Sequence, residues 1–360
     1  MTRILSLTYT DNKSGGPYAV SIDHKHAIKE KFFYVKLFSH NKFSLLKLIL
    51  NKKRFKKFLN KFDCIHLHIL FSFRSIFFLK IAEQLAIPTV LSVHGNLNQW
   101  SMKNNFFRKL LFLKFFHNNI NSVSLIHFLN NNEKEEASRF IDIKKIPNSI
   151  NQNCLNVSNF DITRNNDLIF RILYFGRLDK KKNFLLLPDI AYIFKKNNIN
   201  DVKFVIVGPS KENNINLLKN RIKKLELDAF FEIRESINSI NQKKALFREI
   251  DIFILPSKDE ADSIAIKEAL ASGKPVVISR ECKILPDNKN QEFIKIIYNQ
   301  SANSYYDELL NFYNNRKKLK NLSHQIHSYS KENFSINLLA KWLPKIYKNS
   351  INCTHTLKDS

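Results

Sequence analysis

The segment from Asp251 to Ser279 constrains the fold of this chain more than any other. Ile252 to Leu255 is an uninterrupted apolar run, the pattern of a strand buried on both faces of a parallel sheet. Pro256 and Ser257 end it. Asp262 and Ser263 can each cap a following helix, whose apolar positions are Ile264, Ile266, Ala269 and Leu270. Gly273 closes that helix, Pro275 forbids its continuation, and Val276 to Ile278 supply a second buried strand. Strand, loop, helix and strand follow one another with almost no spare residues, so the segment specifies an open α/β layer structure.

Two carboxylates in it are oddly placed. Glu260 lies in the loop, and Glu268 lies between one and two turns inside the helix. At about 1.5 Å per residue, Ser263 and Glu268 are roughly 7 to 8 Å apart along the axis. A ligand touching both glutamates must be elongated, with its middle crossing the helix start at Ser263 and Ile264. Unpaired amides and the helix dipole favour phosphate there, while carboxylates at either end suit hydroxyl donors. A nucleotide sugar, with hexose, diphosphate and ribose in that order, has this layout. The spacing alone fits equally well a loop acid beside a solvated helix glutamate.

The order Glu260, seven residues, Glu268, then Ala-Leu-Ala-Ser-Gly-Lys-Pro-Val-Val resembles the signature of the retaining glycosyltransferases of family 4, among the group 1 glycosyltransferases. The resemblance implies the GT-B fold: α/β, two Rossmann-like domains facing across a cleft, with a C-terminal helix crossing back to the first. It implies Glu260 at the donor sugar and Glu268 on the ribose hydroxyls. One departure is plain. The family has Gly and an aromatic or Pro after the first glutamate, where this chain has Ala261 and Asp262, and an added carboxylate beside a diphosphate bears on donor identity.

Composition narrows the alternatives. A chain of 360 residues with 44% hydrophobic content and 31 Phe can bury two cores. Met1-Thr2-Arg3 runs directly into a strand pattern, and the most apolar stretch, Ile65 to Ile87, is broken by Arg74, Lys80 and Glu83. A cytoplasmic protein without a signal peptide or membrane span is the expectation. Cys64, Cys154, Cys282 and Cys353 lie far apart, against a zinc knuckle or a disulfide framework. The net charge of +26 calls for an anionic partner, and residues 1–150 hold 24 Lys and Arg against 9 Asp and Glu. A basic nucleic-acid-binding protein would use that charge, but no zinc, RNP or helix-turn-helix signature accompanies it. Only six glycines occur, and each follows a predicted strand or ends a predicted helix.

Taken in order, Arg3 to Thr10 reads as a strand, Ser14-Gly15-Gly16-Pro17 as a glycine turn and Tyr18 to Glu30 as a helix. Phe32 to Ser39 is the second strand. The resemblance points to Gly15 and Gly16 as donor-diphosphate contacts. Lys42–Phe62 and Lys103–His117 are basic amphipathic stretches, suited to an anionic membrane surface. The alternative is that each packs on its domain with a solvated Lys face. His66 and His68 share one face of a strand, yet no third ligand with suitable spacing is visible, so a metal is not expected. His94-Gly95 ends another strand, where open α/β sheets bind ligands. Ser92 to Leu97, with Trp100, resembles the family's acceptor-side loop, which implies His94 near the transferred sugar. Ser124 to Asn130 and Lys145 to Ser149 complete the first sheet.

The first domain is expected over 1–150, a polar linker over 151–169, the donor-binding domain over 170–333 and the crossover helix over 334–350. Phe170 to Phe175 is a strand leading into Gly176-Arg177-Leu178-Asp179-Lys180-Lys181-Lys182-Asn183, and the helix after it opens at about Phe184. The segment resembles the family's Gly-Arg-Leu motif, implying Arg177 and Lys182 as phosphate ligands. A helix over Glu212 to Leu225, another over Lys243 to Glu249 and a disordered last ten residues complete the reading. The activity implied is hexosyl transfer with retention, from a UDP- or GDP-linked sugar to a hydroxyl of a lipid-linked glycan in surface polysaccharide assembly. No metal or other cofactor is implied, since Arg177, Lys182 and the helix start stabilise the leaving diphosphate. A sugar-nucleotide epimerase of the same fold is the alternative. The enzyme would work at the inner face of the plasma membrane.

Overall fold

A computed structural model describes residues 1–8, 16–28, 33–39, 50–162, 167–237, 239–283 and 291–356. The chain divides into two units, one of Met1–Cys154 with Ile336–Ser360 and one of Leu155–Ser335. In each, short runs of Val, Ile, Leu and Phe form a parallel sheet, because strands covered by helices on both faces need apolar side chains throughout.

The first unit contains β1 (Thr2–Thr8), β2 (Phe33–Ser39), β3 (Cys64–Leu67), β4 (Thr89–Ser92), β5 (Leu125–Phe128) and β6 (Asn148–Ile150), ordered β2-β1-β3-β4-β5-β6. All its pairings are parallel. One core holds Leu5, Leu7, Ile65, Leu67 and Leu91, covered by helix Phe73–Gln84 through Ile76, Phe78 and Leu79. Another holds Ile4, Cys64, Val90 and Leu125, covered by Leu339, Leu343, Ile346 and Tyr347 of helix Ile336–Thr356. That helix continues into the segment expected to be disordered, as far as Thr356.

The second unit contains β7 (Phe170–Phe175), β8 (Val202–Val207), β9 (Phe231–Arg234), β10 (Ile252–Leu255), β11 (Val276–Ser279) and β12 (Ile294–Ile297), ordered β12-β11-β10-β7-β8-β9 and again parallel. The first strand, β7, lies between β8 and β10, so the order reverses between β7 and β10. In such sheets the crevice at the carboxyl ends of that strand pair is the usual ligand site. The segment read as a linker begins this unit: Leu155, Val157 and Phe160 are buried in its core, and Leu155 bridges Ser335. Gly208, at φ +149°, ends β8 so close to the Gly176 backbone that a Cβ would collide with it. Glycine is required there by contact between neighbouring strand ends.

Several expected boundaries move for local reasons. The helix expected from Lys243 starts at Ile240, because Ser239 and Gln242 form a reciprocal capping box. After β7 the chain makes a 3-10 turn over Lys180–Lys182, passes through Asn183 in the left-handed region, and forms helix Leu186–Lys196. The amphipathic stretch 42–62 is described from Leu50 onward, where the chain turns at Asn51 before helix Lys52–Leu59. Phe55 and Leu59 are buried, with Phe55 against Phe77 and Phe78, so this helix turns its basic face outward and its apolar face into the core.

Candidate functional site

The loops leaving β7 and β10 form one hydrogen-bonded body. The Lys181 carbonyl accepts from the Lys258 amide at 2.7 Å and from Ser257 Oγ at 3.1 Å. Ser279 Oγ, at the end of β11, donates to the Ser257 carbonyl at 2.5 Å, and the Glu260 amide donates to the Glu281 carbonyl at 3.0 Å. Three strand ends are thereby tied together around the reversal point of the sheet.

That framework sets four carboxylates against lysines. Lys182 Nζ lies 2.5 Å from Glu260 Oε1. Lys181 and Lys283 take the two oxygens of Asp259 at 2.8 and 3.2 Å. Burial pushes the Asp259 carboxyl up, but the two lysines outweigh it and hold the group below the usual carboxylate range. Asp262 pairs with Lys267 at 2.6 Å, and Lys267, only 2% exposed, also lies over the Phe334 ring. Ser263 is the N-cap of helix Ile264–Ala271 by position, yet its side chain makes no capping bond, and Asp262 is engaged by Lys267.

Glu268 is buried one turn into that helix, with Oε1 at 2.5 Å from Lys243 Nζ. Burial raises its carboxyl above the usual range, and Lys243 opposes that rise. Lys243 comes from helix Ile240–Glu249 and also lies over the Phe175 ring at the end of β7. Arg177 differs from these groups. Its side chain is 64% exposed and reaches Asp179 at 3.5 Å, while its carbonyl accepts from Tyr174 Oη at 2.7 Å.

Of the residues singled out by sequence, the structure therefore brings Lys182 to Glu260 and places Ser263, Ile264 and Glu268 on one short helix. Arg177 stands on the loop of Lys182. Lys243, Lys181, Lys283 and Lys267 escaped notice. Each lies in a segment whose composition is ordinary for a basic chain, and only the tertiary pairing distinguishes it.

In the first unit, Gly16 opens helix Gly16–Ala27, and Gly15 lies outside the described residues. His94 follows β4 with φ +48°, its Nε2 hydrogen-bonded to His68 Nδ1 at 2.8 Å. Burial, reinforced by His127, pushes its imidazole down to about 3, so the ring is neutral across the physiological range. The loop after His94 is held by buried Glu133, which accepts from the Gly95 amide and, at 2.5 Å, from the Leu129 amide. Sequence reading missed Glu133; Asn130 capping the helix at the Glu133 amide was the available signal.

Comparisons with known proteins bear on family and fold. Residues 159–332 match the family model of the group 1 glycosyl transferases. A curated Escherichia coli protein, UDP-Gal:alpha-D-GlcNAc-diphosphoundecaprenol alpha-1,3-galactosyltransferase, is 31% identical over 140 residues. That match spans 39% of this chain and about a third of the relative's length (34%). Among solved structures, Anabaena Alr3699/HepE in complex with UDP and glucose superposes with a TM-score of 0.75 at 14% identity, covering 96% of this chain and 99% of that one. Sucrose-phosphate synthase from Thermosynechococcus elongatus gives 0.76 at 14% identity, over 97% and 98%. A Rickettsia africae glycosyltransferase gives 0.73 at 16% identity, over 97% and 98%. The fold of these structures, the GT-B arrangement of two α/β units, is the fold of this chain.

Proposed function

We propose that this chain, whose residues 159–332 match the family model of the group 1 glycosyl transferases, transfers a hexose from a UDP- or GDP-linked sugar to a glycan hydroxyl, with the anomeric configuration retained. The observation that carries this reading is the pair of Lys–Glu contacts, Lys182 with Glu260 and Lys243 with Glu268, flanking the start of helix Ile264–Ala271 beside the reversal point of the sheet. A diphosphate competes for the cations, and sugar and ribose hydroxyls replace the lysines as donors to the carboxylates.

In this scheme Glu268 accepts from the ribose hydroxyls, Arg177 and Lys182 hold the diphosphate with the Ser263 and Ile264 amides, and Glu260 accepts from the donor hexose. Gly15 and Gly16, as further diphosphate contacts, and His94, at the transferred sugar, are the remaining assignments that the family resemblance implies. As the bond from the anomeric carbon to the phosphate oxygen breaks, the acceptor oxygen bonds to that carbon on the same face. Its proton passes to the departing phosphate oxygen. Fixed cations stabilise the charge that develops there, in the role a metal has elsewhere.

The E. coli relative is named for galactosyl transfer to a diphosphoundecaprenol-linked sugar, which supports a lipid-linked acceptor and a part in surface polysaccharide assembly. The HepE complexes with UDP, glucose and UDP-glucose support the donor class. An anionic membrane at the cytoplasmic face is the proposed surface of action. Helix Phe106–Phe115 supports it, with Phe107 78% and Phe115 76% exposed and Leu110 and Leu111 beside them. Arg108, Lys109 and Lys114 lie on the same helix.

The test is a thermal-shift screen of UDP- and GDP-sugars followed by transfer to a polyprenyl-diphosphate-linked acceptor. Stabilisation by one nucleotide series and product formation dependent on acceptor are expected. Donor turnover without acceptor dependence would indicate an epimerase, and no stabilisation by any nucleotide would overturn the reading.

A further inference from the structure

A buried group of histidines in the first unit has no part in the transfer scheme beyond its edge at His94. His66 and His68 face the same way from β3, with ring centroids 4.1 Å apart. Helix Gly16–Ala27 adds His24, its ring 5.6 Å from His66 and 5.5 Å from His68. His24 is 1% exposed, and neither of its ring nitrogens has a hydrogen-bond partner among the described residues. An imidazole buried in that condition loses its hydration without replacement, a cost that a bound ligand would remove.

We propose that His24, His66 and His68 together bind one divalent transition-metal ion, with zinc the best match. One ligand nitrogen from each of the three rings lies within 4.8 Å of the others. Tetrahedral zinc, with bonds of about 2.0 to 2.1 Å to nitrogen, needs ligand nitrogens about 3.3 Å apart. The rings must close inward modestly, and His24, which no hydrogen bond ties among the described residues, is the one able to swing.

The other two histidines have the pattern of metal ligands held by an outer shell. His66 is hydrogen-bonded to Tyr347 Oη at 2.9 Å and to Ser92 Oγ at 2.7 Å. His68 is bonded to His94 at 2.8 Å and, more weakly, to Ser6 Oγ at 3.1 Å. Each can give one nitrogen to the ion and keep the other bond, which fixes tautomer and ring orientation as such partners do in metal sites. Burial holds all three imidazoles neutral, the form that ligates. Three imidazole nitrogens favour zinc over calcium or magnesium, which take oxygen ligands. The three histidines belong to the first unit, and the proposal does not depend on the proposed transfer reaction.

The experiment uses the full chain, stripped with a chelator and then titrated with Zn2+ by calorimetry, with metal content measured after gel filtration. One equivalent of zinc, a higher melting temperature and, with Co2+, the intense visible absorption of a four-coordinate site are expected. His24→Leu should weaken binding by about a hundredfold or more, while exposed His26→Ala should leave it intact. His24→Gln serves if the leucine variant does not fold. Zinc retained equally by the His24 variants would place it on surface histidines, and zinc retained by neither parent nor variant would leave a bound water or an unpaired ring. Either result overturns the proposal.

Discussion

Each candidate carboxylate of the donor site is held by a lysine from another part of the chain, so substitutions there change folding and chemistry together. Lys182→Ala removes the cation proposed for the leaving diphosphate and also leaves Glu260 buried without its partner. The first effect should lower kcat by two to three powers of ten, about 3 to 4 kcal/mol. Donor affinity should change much less, and single-turnover transfer beside equilibrium donor binding reads the two apart. The companion variant Lys182→Ala with Glu260→Gln should regain stability without regaining rate. Recovery of rate in that double variant would assign Lys182 a structural role alone. Glu268→Ala should weaken nucleotide sugar and free nucleoside diphosphate alike, because the ribose contact is common to both. Unchanged nucleotide affinity would remove Glu268 from the ribose. Glu260 and Glu268 were visible in the sequence because their spacing around a strand, loop and helix is local, and Lys182 was singled out only by the resemblance of its glycine loop to the family motif. Lys243 was not, since its approach to Glu268 depends on where a separate helix packs.

At the scale of elements, the strands were the most legible part. Parallel strands buried on both faces appear as apolar runs, and ten of the twelve described strands, β1 and β6 apart, are at least half aliphatic or aromatic side chains. Helix starts were less so. The Ser239–Gln242 box begins a helix three residues before its first Lys was counted, and Ser239→Ala should cost about 1 kcal/mol in chemical denaturation. The two basic amphipathic stretches looked alike in sequence but end differently. Helix Lys52–Leu59 inserts Phe55 and Leu59 into the core, whereas Phe106–Phe115 buries only Leu113. Amphipathic spacing says that a helix has an apolar face without saying what covers it. Replacing Phe107, Leu111 and Phe115 together by Ser should therefore abolish sedimentation with anionic vesicles and leave the melting temperature nearly unchanged. Binding that survives this change, or that is equal on neutral vesicles, would rule out this helix as the membrane contact.

For the molecule as a whole, acid should act first on the first unit. Burial pushes the His127 imidazole down to about 4, below its ordinary 6.5, despite the hydrogen bond to the Asn151 carbonyl that opposes the shift. Between those values the unfolded chain binds a proton that the folded chain does not, so stability is lost as pH falls from 6.5 towards 4. His127 alone costs about 1.4 kcal/mol for each pH unit in that window. Because burial also holds His24, His66, His68 and His94 below their ordinary value, denaturation of chelator-treated protein at several pH values should show at least that slope, and His127→Gln should lower it by about that amount. A profile unaffected by the substitution would mean that the ring is charged in the fold. The second unit should respond less, and residues 155–335 expressed alone should fold and bind nucleotide, since Leu155 and Ser335 already lie side by side as a bridge. The same bridge carries a consequence for synthesis. A ribosome completes the second unit as one uninterrupted run, while the first still waits for Leu339, Leu343, Ile346 and Tyr347 to fill its core. The domain that emerges first is the last to be finished. A message truncated after Ser335 leaves His66 and Cys64 without Tyr347 and Ser350, and delivers an intact second unit tethered to a first that cannot close.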